Sequence, residues 1–241
     1  PFSDWNGPIL AKNVELSTQE ILAGFDISGF TTSGFLPQVK SPGTSLTRAG
    51  ANLSDVSAGG EEFLQDQAAQ WPKHFKKMRR IYRSIDRDFS EMRFDWDDHS
   101  DDAYARLINL KQAQYQRTGF FDVLKAEWVR RLFDRLRRFE GPRLRARLIS
   151  VYFDGTQAAS DFDLQSDTVL LGWITAFDQA CKSYSPGHVL LQETLRQMFQ
   201  DGLRVYDSGP GLDAYKRHYS NMQAPIESGV ISGAPVQLNP E

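Results

Sequence analysis

The sequence predicts a mixed α/β domain in which helices flank one central mixed β-sheet. Three observations carry that prediction. Arg143–Asp154 begins as strict alternation, with Arg143, Arg145 and Arg147 against Leu144, Ala146 and Leu148, and then turns continuously apolar, as a strand entering a core does. Two further strand-like runs follow it, Gln157–Gln165 and Thr168–Phe177. Helical periodicity brackets the three, so that the order becomes strand, two helices, three strands, helix, strand, helix.

Taken in order, Pro1–Ile9 is turn-rich, Thr18–Phe25 fits one short helix, and Thr31–Gln38 fits a strand before the breaker cluster Ser41–Ser45. Strands in this first stretch have few sequence neighbours to pair with, which marks residues 1–58 as an incomplete module and linker ahead of a domain at 59–241. Glu61–Arg87 is helical, with Phe75, Met78, Tyr82 and Ile85 on one side. The basic run Lys73–Arg83 is either a solvated helix face or a patch that attracts an anionic donor or polymer. Phe89–Trp96 alternates as a strand. Ser100 caps a helix that starts with Asp101 and Asp102 and carries Ala103, Leu107 and Leu110. A second helix spans about Asp122 to Arg138, ending at Gly141-Pro142. Asp154-Gly155 fits a tight hairpin turn.

The 241 residues are 40% hydrophobic and 24% charged, with a net charge of −3. That balance argues against a general nucleic-acid binder, which is normally basic. A single cysteine, Cys181, excludes an internal disulfide and fits a reducing, cytoplasmic compartment. No apolar run approaches the length of a membrane span. His74, His99 and His218 show no metal-ligand spacing, and no metal is expected.

Tyr184–Tyr219 is the densest stretch. Ser185-Pro186-Gly187 is a tight turn, and Pro there pre-sets the first helical turn. Leu191, Leu195, Met198 and Phe199 then share a helix face, and Gly202 ends the helix. Leu203–Tyr206 is a short buried strand. Asp207–Gly211 is a turn that feeds a last helix with Tyr215, Lys216 and Tyr219. Free N–H groups and the positive helix end converge near Gly187 and His188, which makes an anion cradle. Ala224–Val236 supplies one or two final strands.

The order of elements, together with the blocks Lys111–Gly119, Tyr184–Leu191 and Asp207–Arg217, resembles the GNAT acyltransferases, and within them the CelD/BcsL type associated with bacterial cellulose and exopolysaccharide synthesis. The resemblance runs from about Glu61 to Ser220, with a fainter one at Pro1–Gly7. It implies a GNAT fold preceded by the remnant of a second GNAT-like module. It implies acetyl-coenzyme A as acyl donor, held by the turn of Tyr184, Ser185, Gly187, His188 and Val189, with the edge of Val169–Ala176 aligning the pantetheine. Tyr215 is implied as general acid to the leaving thiolate. Lys216 would stabilise developing charge or hold the acceptor, and Asp207 stands at the strand end as an activating carboxylate or a turn former. Asp161 occupies a position where the family commonly has His, so a base there would need a raised pKa.

The implied activity is acyl transfer to an amine or hydroxyl of a saccharide or exopolysaccharide-related acceptor, directly within a ternary complex, with possible membership of a polysaccharide-synthesis complex. Two alternatives stand beside it. One is a Fem-type transferase using aminoacyl-tRNA, the only setting in which a nucleic-acid partner is expected. The other is a non-catalytic GNAT-like scaffold.

Overall fold

A computed structural model describes residues 17–35, 45–211 and 213–233. In chain order its elements are α1 (Thr18–Phe25), β1 (Gly29–Phe35), β2 (Ser45–Asp55), α2 (Gly60–Gln70), α3 (Pro72–Asp88), β3 (Met92–Asp95), α4 (Asp101–Thr118), α5 (Glu127–Arg137), β4 (Arg145–Phe153), β5 (Thr156–Gln165), β6 (Val169–Phe177), α6 (Pro186–Gln200), β7 (Val205–Pro210), α7 (Ala214–His218) and β8 (Met222–Ser232). These elements group into two compact units. One gathers the described residues up to Asn52 with Gly209–Asp213 and 222–233; the other comprises Leu53–Ser208 and Ala214–Asn221.

In the first unit, Ser17 and Glu20 form a reciprocal capping box that starts α1, each side chain bonding the other's backbone N–H. β1 lies antiparallel to β8, with Gly29 opposite Ser232 and Thr31 opposite Val230. The partner that β1 lacks nearby in sequence thus comes from some 200 residues away. β2 was not expected: its run of Ser, Thr, Arg, Gly and Asn has no apolar periodicity. The expected strand at Thr31–Gln38 starts at Gly29; its last residues, like Pro1–Ile9 and 234–236, lie outside the described residues.

The second unit is built on the strand order β7-β6-β5-β4-β3, with β6 and β7 parallel and the other pairs antiparallel. Its first face carries α2, α3 and α6. Phe63, Leu64, Phe75, Met78, Ile81 and Ile85 pack there with Ile149, Val151, Leu170, Leu190 and Leu195. The opposite face takes α4 and α5, where Phe133 stacks on Trp173 at 4.8 Å and lies 5.0 Å from Phe162. The helical stretch from Glu61 to Arg87 is two helices, broken at Trp71 before Pro72, which is forced by the restriction that proline imposes on its predecessor. Residues 122–138 likewise divide: Asp122 caps a 3-10 turn at Val123–Lys125 before α5 begins.

The β4–β5 hairpin turns at Asp154 and Gly155, with φ of 47° and 75°. Two successive positive φ values are the signature of a type I′ turn, as the dipeptide predicts. One expectation fails here. Asp207–Pro210 is not a turn but the continuation of β7, and α7 stops at His218, leaving Tyr219 just beyond it.

Candidate active site

β6 and β7 pair only over Val169↔Val205, Leu170↔Tyr206 and Leu171↔Asp207. Among the described residues no pairing with β7 continues beyond Leu171, so the two parallel strands part and the edge of β6 from Gly172 onward opens. Gly172 leaves room at that point for the Tyr206 hydroxyl, which a Cβ there would displace. The Tyr206 ring therefore lies across the start of the gap, and it is buried. Farther along the same edge, the ammonium of Lys111, reaching over from α4, donates to the Thr175 carbonyl at 3.0 Å.

β5, the neighbour of β6 on the side away from β7, carries a pair of buried acids. Alternation along β5 puts Asp161 and Asp163 on one face. Their cross-strand partners Ile149 and Arg147, together with Thr175 on β6, identify this as the α6 side. Both carboxylates are out of water, at 3% and 0% exposure, and Asp161 Oδ1 and Asp163 Oδ2 have no hydrogen-bond partner among the described residues. Asp163 Oδ1 accepts from the Trp173 N–H at 3.3 Å. Burial pushes Asp161 up to about 6, against the pull of a Thr175 hydrogen bond and the Lys111 charge. Asp163 rises further, through burial first and then the neighbouring Asp161. Two like charges in one dry site do not both ionise readily, so the pair holds a proton where isolated carboxyls would have lost it. Tyr206 ties the pair to the rest of the site. Its hydroxyl is held well above the ordinary phenol range by burial and by the fields of Asp163, Asp161, Tyr215 and Asp207.

A second group forms at the start of α6. Ser185 sits in the left-handed region, with φ 48° and ψ 52°, and turns the chain into the helix. His188, in the first turn of α6, comes 6.4 Å from Tyr215, edge to face, and 5.1 Å from His74 of α3. His74 in turn stacks on His218 at 4.1 Å. The amide of Gln192 donates to the Tyr219 hydroxyl at 2.8 Å, and the same hydroxyl shares a hydrogen bond with His74 Nε2, 3.0 Å away. Burial, then the mutual repulsion of the imidazoles and Lys77, lowers His74 and His188 to about 4, and His218 also falls.

The stability linkage follows from those directions. Folded values near 4 lie below the unfolded value near 6.5, so the stabilisation is complete above 6.5 and is lost as pH falls through 4. Denaturant unfolding of the wild type should lose on the order of 1–2 kcal/mol for each of His74 and His188 across that window, solvent screening of the part-exposed rings included. His188→Gln should flatten the slope; an unchanged slope would contradict the assignment. Stacking of the rings, rather than convergence of their nitrogens, is the arrangement, and no metal-holding group of His, Cys, Asp or Glu occurs among the described residues.

The anticipated donor turn divides by role. Tyr184 donates to Asp88 at 3.1 Å and packs on Phe89 and Phe153, and Val189 is fully buried, so both anchor the helix start. The N–H groups of Ser185, His188 and Val189 donate to the carbonyls of Lys182 and Ser185. Gly187 alone of the expected donors has a backbone N–H without a backbone partner among the described residues, and the space beside its Cα is open. The fit to a pyrophosphate is thus one open N–H and the helix dipole, rather than a three-point cradle. Lys216 and Asp207 are both buried, while Tyr215 is 41% exposed.

Asp163, Tyr206, Lys111 and His74 were not anticipated as site residues. Asp163 was legible in the alternation of Asp161-Phe162-Asp163; the others meet the site only through tertiary packing.

The family model described as an acetyltransferase (GNAT) domain matches residues 72–217, more than half of the chain. No curated protein sequence matches it. Among solved structures, the C-terminal domain of a lysylphosphatidylglycerol synthetase from Agrobacterium fabrum, itself described as putative, aligns at 12% identity and TM-score 0.50, covering 90% of this chain and 77% of that one. FemX aligns at 8% identity and TM-score 0.51, over 88% and 67%. A conserved protein of unknown function from Bacteroides thetaiotaomicron aligns at 11% identity and TM-score 0.54, over 88% and 73%. At these identities the likeness is one of fold. Among the described residues no helix is long and apolar enough to cross a membrane.

Proposed function

The chain belongs to the GNAT acetyltransferase-domain family, and on that premise we propose that it transfers an acyl group, acetyl in the first instance, from coenzyme A to an amine or hydroxyl of a saccharide acceptor. The observation that carries this reading is the parting of β6 and β7 after Leu171 and Asp207, with Asp161, Asp163, Tyr206 and Tyr215 disposed around it. The donor's pyrophosphate would meet the Gly187 N–H at the positive end of α6, and its pantetheine the open edge of β6.

In the proposed reaction Asp161 takes the proton of the acceptor N–H or O–H as the acceptor's lone pair forms a bond to the thioester carbonyl carbon. Collapse of the tetrahedral species breaks the C–S bond, and Tyr215 gives its hydroxyl proton to the departing thiolate. Tyr206, within the field of both acids and of Tyr215, is the positioning residue between the two ends. Lys216 holds the acceptor or stabilises the developing charge, and Asp207, in β7, is an activating carboxylate. The CelD/BcsL assignment, the exopolysaccharide setting in the cytoplasm and the reading of residues 1–58 as part of a preceding module belong to the same proposal and rest on the sequence motifs.

Calorimetry with acetyl-coenzyme A tests the donor. Gly187→Pro removes the one open N–H, and a Cβ at this position meets open space. Binding should weaken roughly 10- to 100-fold, the worth of a hydrogen bond to a charged group. Equal binding by both proteins would remove the donor-site assignment.

A second reading has its own support. The exposed face of α3 presents Lys73, Lys76, Lys77, Arg79, Arg80 and Arg83, none with a carboxylate at ion-pair distance among the described residues. FemX is among the structures of similar fold. An aminoacyl-tRNA donor would use such a face, and salt-sensitive tRNA binding without coenzyme A binding would favour it.

A further inference from the structure

We propose that the segment from Arg117 to Arg138 is a docking surface for an anionic lipid bilayer. Three of its aromatic side chains, Phe120, Phe121 and Trp128, are exposed, while Phe133 is buried. α4 ends at Gly119 in a left-handed cap, and Phe120 and Phe121 follow at 72% and 84% exposure. The next residue, Asp122, is buried, accepting from the Leu124 N–H and the Gln112 amide. Leu124 is fully buried. The loop is therefore pinned from beneath while its two phenylalanines stand outside.

α5 repeats the pattern. Val129 and Phe133 take its inner face, yet Trp128 is 61% exposed. Trp128, Arg131, Arg135 and Arg138 fall at i, i+3, i+7 and i+10, one exposed stripe in which the aromatic leads into a row of guanidinium groups.

Charge selects the partner. Residues 117–138 hold seven Lys and Arg against three Asp and Glu, a net of +4 in a chain whose total is −3. Among the acids, Glu127 is spent on Arg131 and Asp122 on the loop. Arg117, Lys125, Arg130, Arg135 and Arg138 have no carboxylate at ion-pair distance among the described residues. Exposed Phe and Trp interspersed with unpaired Arg and Lys match the chemistry of a phospholipid interface: rings enter the headgroup–acyl boundary while cations meet phosphates. The surface lies outside the residues given roles in acyl transfer and does not depend on them.

Sedimentation of the full chain with vesicles tests this. Vesicles of phosphatidylcholine with 30% phosphatidylglycerol should bind at least tenfold more tightly than phosphatidylcholine alone, and added salt should weaken the binding. Phe120→Ala/Phe121→Ala and, separately, Arg130→Glu/Arg135→Glu should each reduce it at least fivefold, with unchanged circular dichroism and unchanged thermal midpoint. These positions carry exposed side chains, so both variants should fold. Absence of anionic-vesicle binding, equal binding to neutral vesicles, or wild-type binding by both folded variants overturns the proposal. So does RNA or acidic-protein binding by this segment when vesicles are ignored.

Discussion

Asp161→Asn should lower the rate of thiol release from acetyl-coenzyme A, with glucosamine as a probe acceptor, by about 10²- to 10⁴-fold, the usual cost of losing a positioned general base. In the wild type the base must be ionised, so the rate should climb through pH 6, where burial places Asp161, and the variant should lose that limb. Stability moves the other way. The folded pKa lies above the unfolded carboxyl value near 3.9, so ionisation costs nothing at low pH and the penalty grows as pH rises from 4 to 6. Removing the ionisable group should therefore leave the variant about 1–2 kcal/mol more stable at pH 8, less whatever the half-buried Lys111 loses with its neighbouring charge. A gain in stability with a loss in rate is the signature of a strained functional group. A variant that unfolds more easily at pH 8 and turns over normally would show Asp161 to be structural.

Phe162→Ala should produce the largest loss of stability, roughly 3–5 kcal/mol by denaturant titration. Its ring is fully buried in β5, 5.0 Å from Phe133 and 6.4 Å from Trp173, with Tyr104 at 6.0 Å. No neighbour on either flanking strand can follow the truncation, because β4 and β6 are both hydrogen-bonded to β5. For a unit of this size the thermal midpoint should drop by roughly 6–20 °C. A loss below about 1 kcal/mol would mean that α4 and α5 collapse onto the space.

The two variants sit on adjacent residues of one strand and probe opposite faces, and that alternation was legible in the sequence. So were the Asp154-Gly155 turn, the Ser100 cap, and the order of elements from β3 to α7, because each is set by local spacing or by a backbone requirement. β2 escaped because its strand is held by pairing rather than by its own apolar pattern. Asp207–Pro210 escaped because turn-forming residues were drawn into β7. The histidine group could not be read at all: residues 74, 188 and 218 come from three helices, and only packing stacks them. The expected N–H cradle was half legible. The helix start is where the spacing puts it, but the left-handed Ser185 tightens the first turn and consumes two N–H groups that a regular start leaves open.

Amide hydrogen exchange of the wild-type protein with and without acetyl-coenzyme A tests the central claim most directly, that the donor lies in the gap between β6 and β7. Added donor should slow deuterium uptake in peptides covering 172–177 and 186–191, with no change across β4. Binding that leaves both peptides unchanged, or no binding at all, would contradict it.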